Sequence, residues 1–288
     1  MLIIVMLVEN KNTIAQPKKD ICNQSLKILK NAVRNGETFF IKVHAAENLI
    51  RIKQTAGLEA EFLLLKEASP DNLIGSDRVL ARLNVHHPKK YQHFLDEILK
   101  QFTNGSNSKT QLTALESLGK LGYKKPLPEL KMLANTGTNG FKGMARWVLS
   151  NSNTQADEDR LSELLLSKEE IDYRYAAYAL RFKSKINTLT FTRLKQCMQN
   201  LKIEDPARIY VISSLFVHDQ SPEKKQVKTA LLTYLTGEIN QRYELAEALG
   251  LGRNKTDLPV LKKLLSDKNT DVQVAAANAI LRIMNYQN

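Results

Sequence analysis

His44 and Glu47 lie three residues apart, a spacing that puts both on one helix face, as two metal ligands would be. A closed metal site needs a third and a fourth ligand. The other histidine cluster is His86, His87 and His93. His86-His87-Pro88 reads as a helix-terminating turn, so these are read as surface or capping residues and no metal is expected. Cys22 and Cys197 are too few for a disulfide framework and read as small, buried thiols. A bridge between them would require the two ends of the chain to meet. Asp157-Glu158-Asp159 reads as the acidic start of a helix, favourable with the helix dipole. No P-loop, GxSxG or HExxH occurs, nor a GxGxxG before a helix. The expectation is a non-catalytic protein with no cofactor.

A second constellation points to binding. Tyr175, Tyr178 and Tyr210 fall close together in the middle of the chain, with Arg146 and Arg174 nearby and the single Trp147 beside them. Tyr, Trp and Arg are the types enriched at binding hot spots. The competing reading is that these rings pack between neighbouring elements.

The elements that position them repeat. Val43-His44-Ala45-Ala46-Glu47-Asn48-Leu49 and Val274-Ala275-Ala276-Ala277-Asn278-Ala279-Ile280 read almost alike, and Arg174-Tyr175-Ala176-Ala177-Tyr178-Ala179-Leu180 lies between them. Aligned on the apolar residue after the small pair, the anchors are Leu49, Leu83, Leu118, Val148, Leu180, Leu215, Leu249 and Ile280. Their spacing of about 33 residues leaves room for two helices and two turns per period. Asp172, Asp205, Asn240 and Asp271 precede or open the anchor helices, where a side chain can cap. Twelve Gly and eight Pro in 288 residues suit short helical hairpins that need few special turns.

The pattern resembles the HEAT-repeat family, most closely from Leu249-Gly250 through Leu258-Pro259-Val260-Leu261 to Asp271-Val272-Gln273-Val274-Ala275. The resemblance departs from the family where Gln273 stands in place of the usual Arg. It implies an all-α superhelix, a solenoid of about eight short HEAT-like hairpins over residues 17–288, whose second helices line a concave face. Positions five before, two before and two after each anchor then point away from the core. This ladder holds His44, Glu47 and Arg51, then Arg78, Glu116 and Lys120. It continues through Gly143 and Arg146 to Tyr175, Tyr178 and Phe182, then Tyr210, Glu244, Glu247, Asn278 and Arg282. The candidate binding residues are Tyr175, Tyr178, Tyr210, Arg146, Arg174, His44, Glu47, Arg78, Glu116 and Glu247.

The family also contains metal-dependent hydroxylases that use repeated His-Glu pairs. Here the histidines are followed by Ala45, His87, Pro88, Phe94 and Asp219, so that reading fails. HEAT-like DNA glycosylases are a precedent for the +12 charge. They use a concave Trp/Asp/Arg constellation; Trp147 and Arg146 are present, but no acidic residue joins them on the stripe. The lysine doublets, such as Lys89-Lys90 and Lys262-Lys263, fall in turns or first helices and read as solvated surface.

The expected function is a scaffold or adaptor that binds a protein or peptide in its groove. Nucleic acid is the alternative partner, and a lyase or chaperone acting on a cofactor-bearing protein is a third class. Met1–Val8 is apolar and too short to span a bilayer. Residues 1–16 resemble a signal peptide lacking its basic start, which favours export over a cytoplasmic location.

Overall fold

The computed structural model describes residues 15–286 apart from Ser106. Sixteen α-helices and no strand occur among them. The first four hairpins pair α1 (Ala15–Asn35) with α2 (Phe39–Arg51), α3 (Leu58–Ala68) with α4 (Leu73–Leu83), α5 (Pro88–Asn104) with α6 (Ser108–Lys120), and α7 (Pro128–Thr136) with α8 (Phe141–Ser150). The last four pair α9 (Gln155–Glu163) with α10 (Glu170–Leu180), α11 (Thr188–Asn200) with α12 (Arg208–His218), α13 (Lys224–Leu232) with α14 (Ile239–Gly252), and α15 (Leu258–Leu265) with α16 (Thr270–Ile283).

First and second helices differ as their sequences require. The first helix of a pair buries one stripe: Phe94, Leu95, Ile98 and Phe102 in α5, or Leu261, Leu264 and Leu265 in α15, where Lys262 and Lys263 stay in solvent. The second helix is buried nearly all round. Ten residues of α16, from Val272 to Ile283, are buried. Small residues let these second helices approach closely. Gly250 on α14 sits against the backbone of Ala279 on α16, where a side chain would meet it at 2.7 Å.

The second helices pack in chain order, α2 on α4, α4 on α6 and so on to α14 on α16. The order does not stop there. α16 packs against both α1 and α2, so the ends of the array meet and the second helices form a closed inner ring of eight. Polar bonds mark the seam. His44 Nδ1 lies 2.9 Å from Asp271 Oδ1, Arg51 donates to Asn278, and Thr270 donates to Glu37. An open superhelical groove was expected; the curvature accumulated over eight hairpins converts it into an enclosure.

Six anchors hold their predicted register: Leu49, Leu118, Leu180, Leu215, Leu249 and Ile280 are all buried. Val148 is buried as well, although its helix is turned, and Leu83 is the anchor that departs. In α4 the fully buried residue is Leu80, whereas Leu83 is half-buried. In α8 the stripe is turned by one residue, so Met144 and Trp147 face the interior instead of Gly143 and Arg146. The caps also move. Asn269 caps α16 by accepting from Asp271 and Val272 N–H, and Glu238 with Gln241 forms the capping box of α14. Asp271 is freed to reach His44, and Asp205 does both jobs: one oxygen accepts from Ala207 N–H just before α12 and the other from the Tyr173 hydroxyl.

Cys22 on α1 and Cys197 on α11 are free, buried thiols, and burial pushes Cys197 up to about 12. The expected leader falls, up to Ile14, outside the described residues; α1 already includes Ala15 and Gln16.

Candidate functional site

The inner ring surrounds a cavity of about 980 Å³ that opens to solvent. Side chains of all eight inner helices line it. Because neighbouring inner helices pair at matching heights, their contributions fall into tiers. Near the N-terminal ends stand His44, Thr113, Met144, Tyr175, Tyr210 and Glu244. Glu47, Glu116, Tyr178 and Glu247 form the middle, and Arg51, Arg82, Lys120, Phe182 and Arg282 the C-terminal tier. The last tier is cationic apart from Phe182, which suits the negative ends of eight aligned helix dipoles.

The loops continue this polarity. Those leading from an inner helix to the next outer one carry eight Lys/Arg and three Asp/Glu. Those leading into an inner helix carry three Lys/Arg and seven Asp/Glu. The loops at the two ends of the ring therefore differ in sign, while the lysine doublets of the outer helices, such as Lys89-Lys90 and Lys262-Lys263, stand exposed to solvent.

A charged network spans the tiers. Arg78, only 1% exposed, donates from Nε to Glu47 Oε1 at 2.8 Å and from Nη1 to Ser117 Oγ at 3.1 Å. Tyr178 donates its hydroxyl to Glu116 Oε1 at 2.7 Å, and Lys120 Nζ lies 2.9 Å from the same oxygen. Arg181, just after α10, pairs with Glu244 on α14, both side chains being buried. Burial opposes charge on each carboxyl, with different outcomes. At Glu47 it is outweighed by Arg78, Arg82 and Lys120, which hold the group well below the usual carboxylate range. At Glu116, Lys120 and Arg78 do the same and bring it to about 2. At Glu244 burial prevails over Arg181, Glu247 adds repulsion, and the carboxyl is pushed up to about 7.

The other wall is aromatic. Trp147 stacks on Phe182 at 5.2 Å between centroids and meets Tyr178 edge-on at 5.7 Å. Tyr178 meets Tyr210 edge-on at 6.1 Å. Gly119 makes room for the indole, since a side chain there would lie 2.7 Å from the ring. Lys120 and Arg181 lie over the faces of Tyr178 and Phe182.

Eight of the ten candidate residues line this cavity: His44, Glu47, Glu116, Arg174, Tyr175, Tyr178, Tyr210 and Glu247. Arg78 lies behind the wall, tied to Glu47. Arg146 is elsewhere: it donates to the carbonyls of Ala134 and Arg160, between α7 and α9. Trp147 is 1% exposed and does not share a face with Arg146, so the pair cannot form the glycosylase-like constellation. Arg82, Arg181, Phe182 and Tyr243 line the cavity without having been among the ten candidates. The signal for Arg82 was available, since it stands two after Leu80, the true anchor of its helix. Tyr178 carries both readings of the tyrosines, since it lines the cavity and packs between Trp147 and Tyr210. Among the described residues no group of three His, Cys, Asp or Glu is arranged to hold a metal ion. None of the described helices is long and apolar enough to cross a membrane.

Fold and site together define a HEAT-like α-solenoid built around an internal cavity. Its last hairpin is a HEAT repeat, residues 258–287 matching that family. Among solved structures, human deoxyhypusine hydroxylase in complex with glycerol is 16% identical, with 94% of this chain and 99% of that one covered at a TM-score of 0.43. The YibA protein of E. coli is 16% identical over 97% of this chain and 99% of its own, at 0.38. A designed armadillo repeat protein in complex with the peptide (KR)4 is 16% identical over 90% and 98%, at 0.21. A comparison with curated proteins gives no match.

Proposed function

We propose that the protein is a non-catalytic binding module that takes the end of a peptide segment into its central cavity. The observation that supports this is the composition of the wall. Tyr175, Tyr210 and Phe182 offer rigid aromatic surface beside charges already paired with one another. Such a surface recognises through area and oriented polar groups. The volume is near the top of the ~300–1,000 Å³ range of small-molecule sites, which fits a short chain end better than a folded partner.

The single Trp147, in contact with Phe182 and Tyr178, reports on the cavity through its fluorescence. Pools of N-acetylated tetrapeptides should change that emission saturably. The response should fall at least about tenfold in a Tyr175→Ala/Tyr210→Ala variant whose thermal transition is otherwise intact. Failure of every pool to change the emission would contradict the proposal.

A second reading rests on basic residues gathered at the start of α13 and in the loop after α14. Around Phe216 and Gly252, Lys224, Lys225, Lys228, Arg253 and Lys255 line a shallow depression. This supports an anionic surface partner, nucleic acid included. It calls for heparin retention that falls steeply with salt.

A further inference from the structure

The cationic tier contains a pair of guanidinium groups that share one neutral acceptor. Arg51 reaches Asn278 Oδ1 from Nε at 3.2 Å and from Nη2 at 2.9 Å. Arg282 reaches the same oxygen from Nε at 3.3 Å. Asn278 is oriented for this by donating its own amide to Glu247 Oε1 at 2.9 Å. Among the described residues neither guanidinium is in an ion pair, although the other cations of that tier, Arg82 and Lys120, each have a glutamate. Both arginines line the cavity and are half-buried, at the seam where α2 meets α16.

Burial and the neighbouring Arg282, and then Arg253, outweigh Glu247 and bring Arg51 down to about 10. Arg253 is an exposed residue held at a positive φ of 52°. Two guanidiniums converging on one amide oxygen retain free N–H donors and uncompensated charge, the requirements of an oxyanion site.

We infer that Arg51 and Arg282 form a carboxylate site, which holds the terminal carboxylate of the peptide bound in the cavity. The nearby Glu247 favours a monoanion over a dianionic phosphate, because a second negative charge would face it. The inference rests on the peptide-binding reading for the source of the carboxylate, but the anion site can be tested without it.

Two measurements separate these. The first follows the Nε–Hε resonances of Arg51 and Arg282 in the native protein, at fixed ionic strength, during titration with sodium acetate or inorganic phosphate. Saturable shifts with acetate, at least as tight as with phosphate, are expected. Shifts matching those of sodium chloride, or tighter binding of phosphate, would overturn the assignment.

The second compares the tetrapeptide pools with free and with amidated C-termini. Free acids should bind about tenfold more tightly, a margin of one charge-assisted contact. Arg282→Gln should remove that margin, with Arg282→Lys restoring part of it and the thermal transition unchanged in both. Equal binding of the two pools would overturn the carboxylate site alone. Binding of neither pool would overturn the peptide reading and this inference with it.

Discussion

The cavity has two unlike walls. On the side of α8, α10 and α12, rings meet rings: Trp147, Phe182, Tyr178 and Tyr210 form a continuous aromatic surface. At the seam of α16 with α2, the lining contacts are hydrogen bonds: His44 to Asp271 and Arg51 to Asn278, whose amide oxygen also accepts from Arg282 on its own helix. The first wall joins neighbours in the chain, and apolar burial alone suffices to hold it. The second joins residues 227 positions apart, where polar partners fix which face of the last hairpin meets the first. Directional bonds add register to a contact that burial would hold without choosing one.

Breaking the aromatic wall should have the largest effect. Trp147→Ala removes a fully buried indole backed by Gly119, and its cost belongs at the top of the ~3–5 kcal/mol range for such truncations. A urea titration of stability measures it. Next comes Arg181→Ala, which strands Glu244 inside the ring and should cost ~3–4 kcal/mol.

The same pair sets a pH dependence. The Glu244 carboxyl titrates higher folded, at about 7, than unfolded, at ~4.3. Between those values the folded state holds the extra proton, so this group makes stability fall as pH rises. Glu47 has the opposite sign: its folded value is lowered, and its contribution is lost as pH falls below ~4.3. Thermal melts from pH 4.5 to 7.5 should show a decline that Glu244→Gln flattens.

The seam should be milder. Asn278→Ala removes the shared acceptor of Arg51 and Arg282 and should cost ~2 kcal/mol. It should also speed hydrogen exchange in α1, α2 and α16 before other helices. If exchange rises uniformly instead, the seam is no weaker than any other junction. Smallest is Tyr178→Phe, which keeps the ring and loses the bond to Glu116, at ~1 kcal/mol by chemical denaturation.

Much of this was legible in the sequence because hairpin stacks are built from local signals. The Ala-Ala pairs with a following Leu or Ile marked inner helices, and helical geometry then placed seven of the eight candidates that reach the cavity wall, Arg174 lying beside the stripe. The misplaced positions have local causes. In α4 no Ala-Ala pair marks the register, and the 17-residue α5 stretches the next interval, so even spacing points to Leu83 where the structure buries Leu80. In α8 a sequence of Gly143, Met144 and Ala145 leaves the stripe ambiguous by one residue, which exchanged Arg146 for Trp147. Ring closure had no local signal at all. It arises from small rotations summed over eight junctions, and its only trace was polar residues on the first and last inner helices, His44, Arg51, Asp271 and Asn278, which had no partner in sight.

Closure is the claim on which cavity, seam and carboxylate site all depend. It is tested by the distance between spin labels on Glu37→Cys and Lys268→Cys, two exposed positions on either side of the seam in a protein whose own cysteines are buried. Glu37 already accepts from Thr270 at 3.2 Å. A closed ring predicts one short, narrow distance distribution in solution. A broad distribution centred at long distance would show an open solenoid and contradict the account.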